Sequence, residues 1–542
     1  MSLLDTARAW LAVDPDPDTR AELAALIEAG ETDTLADAFH ARLTFGTAGL
    51  RGAMGPGPNR MNRLVVAQAA AGIADWLIAH GHGAGRVLIG FDARRKSDEF
   101  ARETSELLQG AGLEVLLVNA PTPTPVLAFG IRHFGCVAGI VVTASHNPAA
   151  DNGYKVYLGD GSQIIPPTDA EMAERIAAHP IESLAALPRN RAYRRVADEL
   201  LSAYVAQSAT LVRAGIPREV VWVHTAMHGV GAAALRHLAN AAGFPPPHEV
   251  AEQASPDPDF PTIAFPNPEE PGAIDLALAR ARQVEADLVV ANDPDADRCA
   301  VATIVDGQWR MLSGDELGLL LGDHMIRRGA GGVLASSVVS SRGLAALAQA
   351  RGRQHVTTLT GFKWIGRVPN LAYGYEEAIG FCCDPHTVPD KDGLTAALLV
   401  LELAAMLKSQ GRSLAHRLDQ LTAELGLYAT APLSIRVSDL GLIGDAMARL
   451  RATPPKELLG VPVAYRDLAT PSRDLPPTDG IEFVSDTVRA VVRPSGTEPK
   501  LKCYLEVVLP PDESQVGSAA RLAASQRLAA LQLEVRDLLG LG

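Results

Sequence analysis

The chain has few cysteines, no long unbroken apolar run and no surplus of basic residues. Its five cysteines, Cys136, Cys299, Cys382, Cys383 and Cys503, are an odd, scattered set without paired ligand spacing. That argues against a zinc site and for a reducing compartment. The most apolar helical stretch, Leu394–Leu407, is interrupted by Glu402 and falls short of the ~20 residues that a membrane span needs. The N-terminus carries Asp5, Asp14 and Asp16 where a secretion signal would have a basic start and an apolar core, so a cytoplasmic protein is expected. Against 63 Asp and Glu there are 49 Lys and Arg, a formal charge of -14, the wrong sign for a general nucleic-acid binder. Anionic small molecules stay possible, because local loops rather than net charge would hold them. Two catalytic signatures are also missing. No Gly-Lys-Ser/Thr follows the glycine-rich stretch Phe45–Gly52, so it is not a Walker loop. No Gly-X-Ser-X-Gly elbow surrounds Ser145, which leaves an acyl-transferring serine hydrolase unsupported.

What is present is a soluble-enzyme composition, 47% hydrophobic and 21% charged, in 542 residues, enough for roughly three or four domains. Amphipathic helices broken at Asp14-Pro15-Asp16-Pro17 and Gly30 occupy residues 1–40. Helical and strand patterns then alternate: helix Leu64–His80, strand Val87–Phe91, helix Asp98–Gly110, strand Glu114–Val118, a helix after Pro125 and strand Cys136–Val142. Such alternation predicts βαβ units and a parallel-type sheet. Helices are expected onward to about Arg213. A second α/β unit starts at Glu219–His224, a third near Gly314, and a last unit of strands and helices near Leu427. The expected domains are 1–213, 214–313, 314–426 and 427–542.

Each unit carries one polar cluster. Thr143-Ala144-Ser145-His146-Asn147-Pro148 follows a β-branched strand, where α/β folds hold their chemistry, and offers an exposed hydroxyl beside a histidine. Lys155, ten positions on, could point back at it. Asn292-Asp293-Pro294-Asp295-Ala296-Asp297-Arg298 ends another apolar strand. Its alternating carboxylates repel unless a cation neutralises them, and hard oxygens select magnesium, calcium or manganese. Tyr375-Glu376-Glu377-Ala378-Ile379-Gly380 places paired acids on a glycine-flanked loop, able to accept hydrogen bonds from sugar hydroxyls. Arg493-Pro494-Ser495-Gly496-Thr497-Glu498-Pro499-Lys500 gathers donors suited to a tetrahedral dianion. Arg51, in the glycine-rich stretch, is a planar cation suited to phosphate. His386 is a proton carrier or a surface residue. A serine that carries a phosphoryl group beside a metal, with the acceptor held in line, has most of what phosphoryl transfer requires.

Taken together, Thr143–Pro148, Asp293–Arg298, Glu376–Gly380 and Arg493–Lys500 resemble the α-D-phosphohexomutase family of phosphoglucomutases and phosphomannomutases, in order and spacing, over roughly residues 40–508. Phe45–Gly52, Thr360–Gly366 and Tyr375–Gly380 are most similar to its phosphoglucomutase/phosphopentomutase branch. The resemblance implies a heart-shaped, four-domain α/β protein, three related α/β domains followed by a TATA-binding-protein-like α+β domain. It implies that Ser145 is a phosphoserine, and that one Mg²⁺ per subunit is held by Asp293, Asp295, Asp297 and a Ser145 phosphoryl oxygen. Phosphoserine would give its phosphoryl group to a sugar monophosphate, and the resulting bisphosphate would turn end for end and rephosphorylate Ser145. Glu376 and Glu377 would bind sugar hydroxyls, and Arg493, Ser495, Gly496 and Thr497 the phosphate that is not reacting. Arg51 and Lys155 would assist proton transfer, with His146, Arg298, Lys363 and Lys391 as neighbours. The expected reaction is α-D-glucose 1-phosphate to glucose 6-phosphate, primed by glucose 1,6-bisphosphate, in a monomer or homodimer binding neither nucleic acid nor membrane. Ala378 departs from the serine that many hexomutases carry there, which keeps ribose, deoxyribose and mannose phosphates in contention. A sugar-phosphate binding protein without turnover is the alternative outside catalysis.

Overall fold

The computed structural model describes residues 2–44, 49–437, 439, 441–472, 475–495, 500–511 and 516–541. The chain divides into two compact units, residues 1–299 with 386–399 and residues 300–385 with 400–542.

Unit one opens with helices Leu3–Val13, Pro17–Ala29 and Thr32–Phe39. The break between the first two follows from local chemistry. Asp16 caps the second helix through Asp18 N, Pro17 takes a first-turn position that needs no donor, and Gly30 ends the helix at φ 70°. A six-stranded sheet follows, in the spatial order Leu50–Ala53, Asp151–Leu158, Ala138–Val142, Arg86–Phe91, Glu114–Val118 and Arg194–Val196. The last four are parallel. Ala138–Val142 is wholly buried, as its β-branched run requires.

The sheet is mixed rather than parallel throughout. Asp151–Leu158 returns directly from the loop 143–150, too short for a helical crossover, and so pairs antiparallel with Ala138–Val142. Leu50–Ala53 pairs antiparallel beyond it. The stretch expected to be helical up to Arg213 contains helices Thr168–Ala177 and Glu199–Ala209, with the edge strand Arg194–Val196 between them. Three residues are too few to show a period. Also in unit one, Trp222–Thr225 lies parallel between His248–Glu249 and Leu288–Ala291.

Unit two contains the hairpin Ala300–Val305/Gln308–Met311 and a sheet ordered His355–Thr358, Val333–Ser337, Leu371–Glu376, Gly380–Cys382, antiparallel only at the last pairing. Helix Gly314–Arg327 starts from a capping box of Ser313 with Glu316. The C-terminal part is an antiparallel five-stranded sheet ordered Leu427–Arg436, Lys500–Leu509, Val488–Pro494, Ile481–Val484, Ala464–Asp467. Its core joins Leu433, Phe483 and Leu505 to Met447 and Leu531 of helices Gly441–Ala452 and Ser518–Leu539, giving the expected α+β domain. All five cysteines are buried free thiols. Among the described residues no helix is long and apolar enough to cross a membrane.

Gly229 follows Trp222–Thr225, and a Cβ there would lie 2.3 Å from Pro294 Cα and 2.4 Å from Pro294 O. Val230 N donates to the same carbonyl at 2.8 Å. Gly229→Ala should therefore displace the aspartate loop and cost about 1–3 kcal/mol, read as a lower denaturation midpoint.

Candidate functional site

Ser145 lies three residues beyond strand Ala138–Val142 with φ 52°, a left-handed conformation that costs a non-glycine residue about 1–3 kcal/mol. Its amide donates to Thr143 Oγ1 at 2.9 Å. The hydroxyl is not exposed as expected: the residue is 3% accessible, because the turn directs Oγ at Asp293, where it donates to Oδ2 at 2.6 Å. His146 Nδ1 lies 3.3 Å from the same Oγ. Burial, then Arg298 and Arg51, hold this imidazole well below its usual pKa, so it is neutral. Arg51, carried by strand Leu50–Ala53, donates to Asn147 Oδ1 at 3.0 Å.

The aspartate loop completes this arrangement. Asp293, Asp295 and Asp297 are buried, with one carboxylate oxygen of each within 4.8 Å of the others. Ala296 bends the loop at φ 55°. Lys155 Nζ bridges Asp295 Oδ2 at 2.7 Å and Asp297 Oδ2 at 2.9 Å. Lys391 Nζ lies 3.4 Å from Asp297 and Arg298 Nε 3.9 Å. Burial works against the charge on Lys155, yet Asp295 and Asp297 raise its pKa, so it stays an ammonium. Asp297 is lowered despite burial by Lys155, Lys391 and Arg298. Asp293 is raised well above the carboxylate range by burial and then by the other two aspartates.

A divalent cation suits this set. Asp295 Oδ1 and Asp297 Oδ1 are buried and lack hydrogen-bond partners, an arrangement that would be costly without a ligand. Hard carboxylate oxygens match Mg²⁺ or a similar ion.

In unit two, Glu376 ends strand Leu371–Glu376 and is 7% accessible. Ile379 turns the loop at φ 54°. Glu377 faces back into its own unit, where Oε2 accepts from Ser337 Oγ and Ser340 Oγ, both at 3.1 Å. Burial, then Glu376 and Asp315, push its carboxyl up to about 7. Lys363, on the short helix Phe362–Ile365, is buried with Nζ 5.9 Å from the Trp364 ring. Arg493 donates to Thr360 Oγ1, and Ser495 N to Lys500 O at 2.9 Å. Gly496 and Thr497 lie outside the described residues. Tyr504 is half-buried in the field of Glu377, Arg493 and Glu376. His386 belongs to unit one and is exposed at the surface.

Unit one thus brings together Ser145, His146, Arg51, Lys155, the three aspartates, Arg298 and Lys391. Unit two holds Lys363, Glu376, Glu377, Arg493 and Ser495. Several polar partners escaped the sequence reading. Thr124 Oγ1 donates to Asp295 Oδ2 at 2.6 Å and Thr124 N to Asp295 O at 2.9 Å. The only local signal was the rigid run Pro121-Thr122-Pro123-Thr124-Pro125. Arg94, whose guanidinium donates to Ser145 O at 2.6 Å, and Ser337 and Ser340 gave none.

Comparison with known proteins agrees with this geometry. Family models described as phosphoglucomutase/phosphomannomutase alpha/beta/alpha domains I, II and III match residues 42–181, 202–305 and 313–425, and the C-terminal domain of the same family matches 435–517. A probable phosphomannomutase of Haemophilus influenzae is 45% identical, covering 82% of this chain and 93% of its own. A phosphopentomutase of Mus musculus is 36% identical, covering 93% and 90%. The crystal structure of a putative phosphomannomutase from Thermus thermophilus superposes with a TM-score of 0.71 at 26% identity, over 92% of this chain and 99% of that one. With all four domains present in order, the chain belongs to the phosphoglucomutase/phosphomannomutase family and is a phosphosugar mutase, an intramolecular phosphotransferase.

Proposed function

We propose that Ser145 is the phosphoryl carrier and that the chain moves a phosphoryl group between the anomeric and terminal oxygens of an aldose monophosphate. The observation that carries this is the 2.6 Å contact of Ser145 Oγ with Asp293 in a buried three-aspartate cluster. Asp293, Asp295 and Asp297 would hold Mg²⁺, which supplies positive charge at the reacting phosphoryl oxygens when bound. In the first transfer the Ser145 Oγ–P bond breaks as a sugar hydroxyl oxygen bonds to phosphorus, and the proton of that hydroxyl ends on the released Ser145 oxygen. The second transfer reverses this with the other phosphoryl group of the bisphosphate, so atoms balance over a cycle. Lys155, an ammonium fixed by Asp295 and Asp297, and Arg51 would counter charge beside the serine, with His146, Arg298 and Lys391 around them. Glu376 and Lys363 would contact the sugar, while Glu377 is held by Ser337 and Ser340. Arg493, Ser495, Gly496 and Thr497 would take the distal phosphate, and glucose 1,6-bisphosphate would prime the serine. The cytoplasm remains the expected compartment.

Three observations move the sugar preference from glucose towards pentose. Ala378 offers no hydroxyl, and Glu377 is engaged with Ser337 and Ser340, which suits a sugar with fewer groups to read. The mouse relative, matched over 93% of this chain, is a phosphopentomutase. Pentose 1-phosphate is therefore the first reading and glucose 1-phosphate the second. The ratio of kcat/KM for ribose 1-phosphate over glucose 1-phosphate should exceed one, and a ratio well below one restores glucose.

Ser145→Ala should keep its fold and lose about 10³-fold or more in kcat. Phosphopeptide mapping of the active wild type should find phosphate on residue 145. Wild-type turnover in the variant, or an active enzyme that never carries that phosphate, contradicts the reading.

Glu377 also sets a pH dependence. Its folded carboxyl, pushed up to about 7 from 4.5, keeps a proton across a window in which the unfolded chain has released it. Stability from this group is full below the unfolded value and is lost as pH rises through about 7. Between about pH 5 and pH 8 the wild-type Tm should fall by a few degrees relative to Glu377→Gln. Parallel profiles would show that Glu377 does not titrate there.

A further inference from the structure

The strand beside the serine strand, Arg86–Phe91, pairs Phe91 with Val142 and continues into Asp92, whose amide donates to Val142 O at 3.0 Å. Asp92 Oδ1 accepts from Arg94 N at 2.9 Å and from Ser97 Oγ at 2.7 Å. Asp92 Oδ2 lies 3.4 Å from Arg94 Nε. This fixes the direction of the Arg94 side chain, which is 4% accessible and lies with its guanidinium carbon 5.0 Å from the centre of the Phe260 ring.

The other two guanidinium nitrogens reach four carbonyl oxygens of one loop. One donates to Pro148 O at 2.7 Å and Asp151 O at 3.1 Å. Its twin donates to Ser145 O at 2.6 Å and Asn147 O at 2.5 Å. The residues gripped run from Ser145 itself to the first residue of the returning strand.

We propose that Arg94 is a positioning residue for phosphoryl transfer: its single planar cation organises the loop around itself and fixes Ser145 Oγ on the line of attack. This rests on the reading of Ser145 as the phosphoryl carrier. Two features make the role specific to arginine. The left-handed conformation of Ser145 is intrinsically unfavourable and needs its surroundings to impose it. Four acceptors spread over seven residues of chain also need a fork of fixed, divergent donors, which a lysine ammonium does not provide. Arg94 acts through the loop backbone, so its loss should misplace the serine oxygen without altering the residues that would bind the sugar.

The test is Arg94→Lys, which keeps the charge and removes the fork, with Asp92→Asn, which keeps Arg94 and loosens its anchor. Folding of both is checked by circular dichroism, and phosphate on residue 145 is quantified in the wild type first. For folded Arg94→Lys, kcat should fall about 10²-fold, the scale of an ångström-level misplacement, with KM within about threefold of wild type. Asp92→Asn should fall between the two in kcat, again with little change in KM. A folded Arg94→Lys with wild-type kcat, or with raised KM and unchanged kcat, overturns the proposal. Should Arg94→Lys not fold, Asp92→Asn decides by the same split. An active wild type without phosphate on Ser145 overturns the underlying reading instead, so the two failures are distinct.

Discussion

Three buried carboxylates with oxygens within 4.8 Å of one another are the constraint around which unit one is arranged. At such separations two like charges repel by about 4 kcal/mol even with an effective dielectric near 20, and that repulsion with burial is what raises Asp293 above the carboxylate range. The chain answers with cations from separate segments: Lys155 between Asp295 and Asp297, and Lys391 and Arg298 beside Asp297. This gives a reason for the antiparallel strand that interrupts the otherwise parallel sheet. Asp151–Leu158 returns straight from the serine loop, and that return delivers Lys155 to the aspartates. The Ser145 hydroxyl and the cation that balances the buried aspartates are thus fixed by one short piece of chain.

The same economy shows in backbone strain. Ser145, Ala296 and Ile379 are all non-glycine residues at positive φ, and each lies just past the C-terminal end of a strand, on a loop expected to carry function. A conformation this unfavourable persists only where packing and hydrogen bonds over-determine it. Ser145 has Thr143 Oγ1, Asp293 and Arg94. Ala296 N donates to Asp293 O at 2.8 Å, and Ala296 itself is fully buried, as is Ile379. Strain at these three points sharpens the turns that aim side chains out of the strand ends.

What could be read from the chain itself was whatever a contiguous stretch encodes. The apolar run before Thr143, the acids alternating after Ala291 and the glycines around the paired glutamates placed the loops at strand ends, where they are. Spacing could not reveal pairings that depend on closure over long separations. Thr124 reaches Asp295 across 171 positions and Arg94 reaches Ser145 across 51, and neither residue stands out locally. The burial of Ser145 was missed for the same reason: a polar hexapeptide after a strand reads as exposed until a second loop is known to cover it. The strand Arg194–Val196 was lost because two arginines and a valine have no period to detect, and only the neighbouring strand Glu114–Val118 makes them one.

The division of residues between the two units bears on how such a family diversifies. The residues gathered around the serine, from Asp293 to Lys155 and Arg94, lie in unit one. The acids of the 376–380 loop and their serine partners lie in unit two. On the proposed reading this part tolerates little variation, because displacing Ser145 or unbalancing the aspartates would disturb the reacting atoms directly. On the same reading, alanine rather than serine at position 378 would remove one hydrogen bond to the sugar, and a single contact of that kind shifts preference between substrates by a modest energy. Relatives named for mannose and for pentose phosphates can therefore share this architecture, with selectivity tuned where the covalent machinery is not.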